Sequence, residues 1–425
     1  MEREIELEIE KLAQSGQGVG RAAGRTVFAW NALPGEEVRL LVQRKRRGIL
    51  EGVATEILRP SPYRIESREN HYLSCSAWQI LNFDEEQRWK AEITRETFKK
   101  VANLDLGELT VVTNDRQYGY RNKMEFSFME QNEILSLAFH ERYTRILTPI
   151  EGCLLADDNI SRTSKKIIEW LRGQGVRADA LKTLILRSNR AGEIIGALFM
   201  KSKNAVIALP PLDEIGLKGF ANFYSDPQSP ASVPTELINS EGELSLGEVI
   251  KGKTLRYGLM SFFQVNLPMF ERALEAMAPF IKSDELLDLY CGVGSIGITL
   301  ADRSQKCTLV ENDHESVRFA AENVETSGLS GCQVIALPAE KTLAEIISDR
   351  AIILDPPRPG LHPKVVKRLL EVQPTRIIYL ACNVASQARD LALLTEHYQI
   401  VHAQLFNFFP RTPHVESLLV LDRKS

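Results

Sequence analysis

From about Leu255 onward the chain alternates short apolar runs with helical stretches, and this alternation restricts the fold more than any other feature. The runs are Leu286 to Tyr290, Cys307 to Val310, Ala351 to Leu354 and Arg376 to Ala381. Strands this apolar must be covered on both faces, the arrangement of a parallel sheet with helices on each side. Such sheets hold their ligands outside the carboxyl ends of the strands, so chemistry is expected in the residues that follow each run.

The first run leads into Asp288-Leu289-Tyr290-Cys291-Gly292-Val293-Gly294-Ser295-Ile296-Gly297, a strand end that is expected to open a helix. Glycines allow the backbone a sharp turn and a close approach to a ligand, and a helix N-terminus adds partial positive charge. Glu311, just after the second run, suits hydrogen bonds to ribose hydroxyls. A dinucleotide and S-adenosylmethionine satisfy this loop equally well. The third run closes on Asp355-Pro356-Pro357-Arg358-Pro359-Gly360. Two prolines stiffen that loop and leave Asp355 aimed into the crevice, although a structural turn before prolines would also explain it.

The fourth run ends at Cys382. A buried cysteine is most often a small hydrophobe, but Asn383-Val384-Ala385-Ser386-Gln387 is expected to begin a helix whose N-terminus would stabilise a thiolate. His414 to Leu421 reads as a last strand. If it runs antiparallel to the others, Glu416 faces Cys382; an exposed strand-end glutamate is the plain alternative. A thiol and a carboxylate beside a methyl donor answer a specific problem. Carbon 5 of uracil is a poor nucleophile, thiolate addition at carbon 6 activates it, and a base must then remove the carbon 5 proton.

The remainder of the 425 residues reads as two further regions. Period-two alternation with glycine punctuation over residues 1–58 predicts a small OB-like β-barrel, carrying the basic patch Arg44-Lys45-Arg46-Arg47. After a proline-rich link, residues 62–240 read as a mixed α+β region with a charged helix from Asp84 to about Val101, and residues 241–425 as the catalytic region. A net charge of −4 argues against a surface that binds polyanions everywhere, though whole-chain totals hide local patches such as Arg44 to Arg47, which a solvated loop would also explain. No apolar run is long enough to span a bilayer and the N-terminus does not read as a signal peptide, so no membrane partner and a cytoplasmic location are expected. The six cysteines lack any CxxC spacing and are expected to be free thiols.

Five stretches resemble the RNA (uracil-C5)-methyltransferases: Ser261 to Asn266, Asp288 to Gly297, Asp355 to Gly360, Tyr379 to Asn383 and His414 to Ser417. The resemblance implies a Rossmann-like α/β methyltransferase domain that uses S-adenosylmethionine, with Cys382 as nucleophile and Glu416 as base. It implies that Gln264, Tyr290, Glu311 and Asp355 hold the cofactor, with Ser295 and Glu340 as further candidates. The N-terminal barrel is similar to a TRAM domain, which makes Arg44, Lys45, Arg46 and Arg47 candidate RNA contacts. Phe262 could stack on a flipped uracil, and Arg121 and Lys123, in a segment resembling the family's central domain, are expected near phosphates.

The chain departs from the family at one point. Several members hold an iron–sulfur cluster on four cysteines, whereas here Cys75 and Cys153 alone occupy matching stretches, so no cluster and no metal are expected. The expected substrate is RNA, ribosomal RNA ahead of tRNA, with no DNA partner and a monomeric protein. Three rivals remain: methylation of an exocyclic amino group, which needs no cysteine, an RNA-binding or chaperone protein without catalysis, and a flavin- or NAD-linked use of the glycine loop, which leaves Cys382 and Glu416 without roles.

Overall fold

The computed structural model describes residues 4–142, 146–204, 207–229 and 231–424. The N-terminal strands β1 (Glu4–Leu12), β2 (Gly18–Ala22), β3 (Arg25–Trp30), β4 (Glu37–Arg46) and β5 (Ile49–Arg59) close into a barrel in the order β1-β2-β3-β5-β4. Alternation does the work: Leu7 and Ile9 point inward while their neighbours stay accessible, and with Val27, Val38, Leu40 and Ala54 they fill the barrel. The barrel is tied to the chain that follows by buried Glu36. Its carboxylate accepts from Leu33 N (2.8 Å) and Ser61 N (3.1 Å) and pairs with Arg64 at 2.6 Å.

The helix Phe83–Ala102 comes next, capped by the Asn82 side chain, which accepts from Asp84 N at 2.9 Å, and ended by Asn103 in the left-handed region at φ 54°. Instead of joining the middle of the molecule, this helix packs on Val384–Leu394 of the C-terminal region, and the short β6 (Val111–Val112) also joins the C-terminal sheet. Strands β7 (Lys123–Gln131), β8 (Ile134–His140), β9 (Leu147–Ile150), β10 (Leu181–Ser188), β11 (Ile194–Met200), β12 (Gly219–Tyr224) and β13 (Glu236–Gly242) form a seven-stranded sheet. The hairpin β14 (Ser245–Ile250) and β15 (Lys253–Gly258) follows.

The C-terminal sheet contains β16 (Glu285–Leu289), β17 (Lys306–Glu311), β18 (Cys332–Ala336), β19 (Ala351–Leu354), β20 (Arg376–Ala381), β21 (Tyr398–Phe406) and β22 (Glu416–Arg423) in the order β18-β17-β16-β19-β20-β22-β21-β6. The first five are parallel, and β22 runs antiparallel beside β20. Leu286, Leu287, Leu289, Ile352, Ile353 and Leu354 are wholly buried, as the unbroken apolar runs require. One expectation needs correction. The helix after the glycine loop is a single turn, Gly297–Leu300, followed by a 3-10 turn. Its dipole is therefore small, and the loop's ligand-facing character comes from individual backbone N–H groups.

Candidate active site

Strand pairing brings two of the candidate residues together. β20 and β22 run antiparallel with Ala381 opposite Ser417, so the next pair toward the crevice is Cys382 and Glu416. The Gln387 side chain holds the two strand ends, donating to Tyr379 O at 3.0 Å and Ser417 O at 3.1 Å. Asn383 caps the helix after Cys382, accepting from Ala385 N at 3.1 Å, and donates to Arg358 O at 2.9 Å, which ties the proline-stiffened loop to the cysteine strand. Gln14 of the barrel donates to the same Asn383 side chain at 3.2 Å.

The electrostatics run against one expectation. Burial pushes the Cys382 thiol up to about 12, Glu416 and Asp355 add to the rise, and Arg358 opposes it. Desolvation and two nearby carboxyls outweigh the helix N-terminus here, so the thiolate that this helix is expected to stabilise is disfavoured in the cofactor-free site. Glu416 is also raised well above the ordinary carboxylate range by burial, then by Asp355, with Arg358 opposing. Its Oε2 is buried without a hydrogen-bond partner. Asp355 is lifted to about 7 by burial.

The glycine loop forms a second wall. Tyr290, Gly292 and Gly294 all have positive φ, at 66°, 58° and 84°. Gly297 is required by space: a Cβ there would lie 2.8 Å from Asp288 Oδ2, the oxygen that accepts the Gly297 N–H at 2.8 Å. Asp288 Oδ1 has no partner, and burial raises this carboxyl to about 8. Glu311 is oriented by three backbone donors, Gly292 N at 2.9 Å, Asn312 N at 2.7 Å and Asp313 N at 2.8 Å. Tyr290, Glu311 and Glu340 line one cleft of about 840 Å³, and the Tyr290 hydroxyl is buried there without a partner. Gln264, Ser295 and Asp355 are not among that cleft's walls. Ser295 sits in the turn, its carbonyl accepting from Thr299 Oγ1 at 2.7 Å, while Gln264 is buried on the segment that faces the loop from β15.

That segment, Ser261 to Asn266, is held by residues sequence reasoning missed. Arg187 is completely buried and donates to Gly258 O and Ser261 O, both at 2.7 Å, with its guanidinium 4.6 Å from the Tyr257 ring centre. Its one visible signal was a charge inside the apolar run Leu184-Ile185-Leu186. Asn122 donates to Gln264 O at 3.1 Å, and Ser261 Oγ donates to Glu315 at 2.7 Å. Held in this way, Phe262 is 65% exposed, an unusual state for a phenylalanine on a fixed backbone.

The basic candidates separate. Arg121 lies 6.0 Å from the Phe409 ring centre, and with Arg358 it stands near His414, whose pKa is lowered to about 4 by burial and then by Arg358, Lys90 and Arg121. Lys123 is less surface-like than expected: burial, then Arg187, lowers it to about 8. Arg44, Lys45, Arg46 and Arg47 are exposed at the turn between β4 and β5. Away from this site, Glu69, His71, Cys75 and Cys153 gather into a group with metal-ligand chemistry.

Residues 248–424 match the family described as tRNA (Uracil-5-)-methyltransferase, and residues 2–55 match the TRAM domain. Across 99% of the chain, the sequence is 29% identical to an uncharacterized RNA methyltransferase of Clostridium tetani, covering 98% of that protein. It is 27% identical to another from Caldanaerobacter subterraneus, again over 99% of the chain and 98% of the relative. The fold is similar to that of the Pyrococcus abyssi tRNA (uracil-54, C5)-methyltransferase, solved with S-adenosyl-L-homocysteine. The TM-score is 0.78 at 23% identity, over 98% of this chain and 99% of that one. Among the described residues no helix is long and apolar enough to cross a membrane.

Proposed function

Since the chain belongs to the RNA (uracil-C5)-methyltransferase family and is an RNA methyltransferase, we propose that it methylates carbon 5 of a specific uridine through a covalent adduct on Cys382. The observation that supports this reading is the place of Cys382 and Glu416 one step beyond the Ala381–Ser417 pair of β20 and β22, close enough for Glu416 to act on the thiol, with one carboxylate oxygen buried and unpartnered. A buried polar atom left without a partner is costly unless it has a use.

When bound, S-adenosylmethionine supplies an electrophilic methyl group on a positively charged sulfur. Glu311 and Tyr290, with Glu340, fit its nucleoside end, and Gln264, Ser295 and Asp355 its remaining polar groups. Cys382 gives its proton to solvent water, the Arg358 charge favouring the thiolate, and its sulfur bonds to carbon 6 of the uracil as the C5–C6 π pair shifts toward carbon 5 and the carbon 4 oxygen. Carbon 5, made nucleophilic, takes the methyl group. Glu416 then removes the carbon 5 proton, the carbon–sulfur bond breaks, and the thiolate leaves. Phe262 offers a stacking face for a base turned out of its helix, and Arg121 and Lys123, with the turn Arg44 to Arg47, supply positive charge toward the RNA backbone.

Ribosomal RNA is the proposed substrate. The tRNA activity of the similar Pyrococcus abyssi enzyme supports a tRNA reading as the alternative, and mapping 5-methyluridine in RNA from cells lacking the protein separates the two. The chemistry itself is tested with 5-fluorouridine transcripts, where fluorine replaces the proton that Glu416 removes. The expected product is a protein–RNA species that survives denaturing electrophoresis and is absent from Cys382→Ala. Product formation by Cys382→Ala on ordinary RNA would sink the covalent scheme and favour amino methylation.

A further inference from the structure

The donor atoms of Glu69, His71, Cys75 and Cys153 all lie within 4.8 Å of one another. The first three come from the short segment that runs into the helical turn Tyr72–Cys75, and the fourth from the loop after β9. His71 and Cys153 are buried. His71 Nε2 is 3.2 Å from Glu69 Oε1 but makes no hydrogen bond of acceptable geometry, which leaves a buried, unpartnered nitrogen aimed into the group. Around it stands a supporting set of the kind that orients metal ligands. Gln79 Nε2 donates to Glu69 Oε2 and to Ser76 Oγ, both at 2.7 Å, Leu154 N donates to Glu69 Oε1 at 2.7 Å, and the His71 ring packs against Phe139 at 5.6 Å.

These residues do not fit the four-cysteine iron–sulfur cluster found in several family members. Two thiols are present, and a cluster seats its ligands on separate irons, spreading the donor atoms farther apart than a single ion does. A tetrahedral ion with bonds of about 2.0–2.3 Å sets neighbouring donors about 3.3–3.8 Å apart, inside the 4.8 Å that bounds every donor separation here. We propose that Glu69, His71, Cys75 and Cys153 bind one zinc-class divalent cation in a closed, four-coordinate structural site. Two sulfurs, one nitrogen and one oxygen are a donor set suited to zinc. The loop it would clamp is one that positions the RNA-facing residues: Leu154 O accepts from Gly119 N at 2.7 Å and Leu155 O from Arg121 N at 2.9 Å. An adjoining open cleft of about 1260 Å³, walled in part by Glu69, His71 and Cys153, provides an entry path.

The test is elemental analysis of tag-free full-length protein purified anaerobically, with acid-labile sulfide measured in parallel. The expected result is about one zinc per chain and no sulfide, with the metal lost from His71→Ala and from Cys153→Ser. Replacement by cobalt(II) in the wild type should give the intense visible bands of a tetrahedral ion and a thiolate charge-transfer band. That spectrum keeps the assignment testable if either variant fails to fold. Iron with stoichiometric sulfide would overturn the proposal in favour of a cluster. A metal-free protein with a Cys75–Cys153 disulfide, a wild type without the cobalt spectrum, or a metal retained by folded His71→Ala would overturn it as well.

Discussion

Two regions beside the C-terminal sheet bury charge in opposite ways. Beneath the segment Asn407 to Arg411, Lys90 is completely buried and donates to Glu86 Oε1 at 2.8 Å, Asn407 Oδ1 at 2.6 Å and Phe409 O at 3.1 Å. Glu86 in turn accepts from Asn407 Nδ2 at 3.0 Å and from Arg411 N at 3.1 Å. At the crevice, Glu416 Oε2 and Asp288 Oδ1 are as deeply buried and have no partner. A satisfied network specifies structure, whereas buried groups left unsatisfied are tolerated where function uses them. On the proposed function, the Lys90–Glu86–Asn407 network is scaffold, with Arg411 Nε left unpartnered at its edge, and the crevice is the reaction site. Substitutions should therefore damage stability in one and turnover in the other.

The largest effect is expected at the crevice. Glu416→Gln keeps the shape and removes the base, so turnover should fall by about 10²–10⁴-fold, about 2.7–5.4 kcal/mol of barrier. Unfolding should stay unchanged or shift upward, because a carboxyl that is costly to bury has gone. Single-turnover assays should show the covalent species accumulating where the wild type passes through it. A variant that loses stability in parallel with activity would make Glu416 another scaffold residue and erase the contrast.

Glu86→Ala is the converse. It strands Lys90 without its carboxylate and leaves Asn407 and the Arg411 N–H short of an acceptor, so a loss of about 3–5 kcal/mol is expected. Calorimetry should show the C-terminal transition at lower temperature, while protein that remains folded at low temperature retains the Cys382 adduct chemistry. If Glu86→Ala unfolds like the wild type, the buried pair is ornamental and the division between the regions fails.

A smaller effect sharpens the electrostatic half of the contrast. With the Cys382 thiol at about 12 in the cofactor-free protein, the thiolate fraction at neutral pH is about 10³-fold below that of an ordinary cysteine. Alkylation followed on the Cys382 peptide by mass spectrometry should therefore be slow near pH 7.5 and still rising at pH 10. Raised affinity for the proton means the reactive form is gained only as pH increases. Glu416→Gln and Asp355→Asn each remove a contributor to the rise and should speed labelling at fixed pH. Labelling that saturates near pH 8 would show that burial and the carboxyls do not govern this thiol.

The two regions also differ in how far they can be read from sequence. Cys382, Asp355 and Glu311 could be placed at one edge of the sheet because each follows an apolar run of a parallel strand, and Glu416 because it opens the last strand. Their register followed from assuming an antiparallel last strand, which the pairing of β20 with β22 supplies. The scaffold was not legible. Lys90 meets Asn407 across 317 positions of chain, and nothing in a charged amphipathic helix marks which lysine turns inward. Arg187 left a trace, a charge in an apolar strand, but its acceptors lie on a distant loop. Glu69 and His71 were passed over because only the cysteines of their group were counted. The helix N-terminus after Cys382 is visible in sequence, whereas the opposing desolvation and the proximity of Asp355 emerge only after folding.

The turn Arg44 to Arg47 supplies a third setting, charge held at the exposed surface, and the smallest effect. If these residues lie along the RNA backbone, each neutralised phosphate contributes about 0.7 to the slope of log affinity against log salt for single-stranded RNA. Replacing Arg44, Lys45, Arg46 and Arg47 with glutamine should lower that slope by up to about 3 and weaken binding most at low salt. Maximal turnover and thermal stability should hardly change, because exposed positions do not support the core. A slope identical to that of the wild type would remove the turn from the RNA interface. A large loss of maximal turnover would instead show that the barrel positions the target base, a role for which the Gln14 bond to Asn383 offers a physical route. The two outcomes are separated by measuring affinity and single-turnover rate on the same preparation across a salt series.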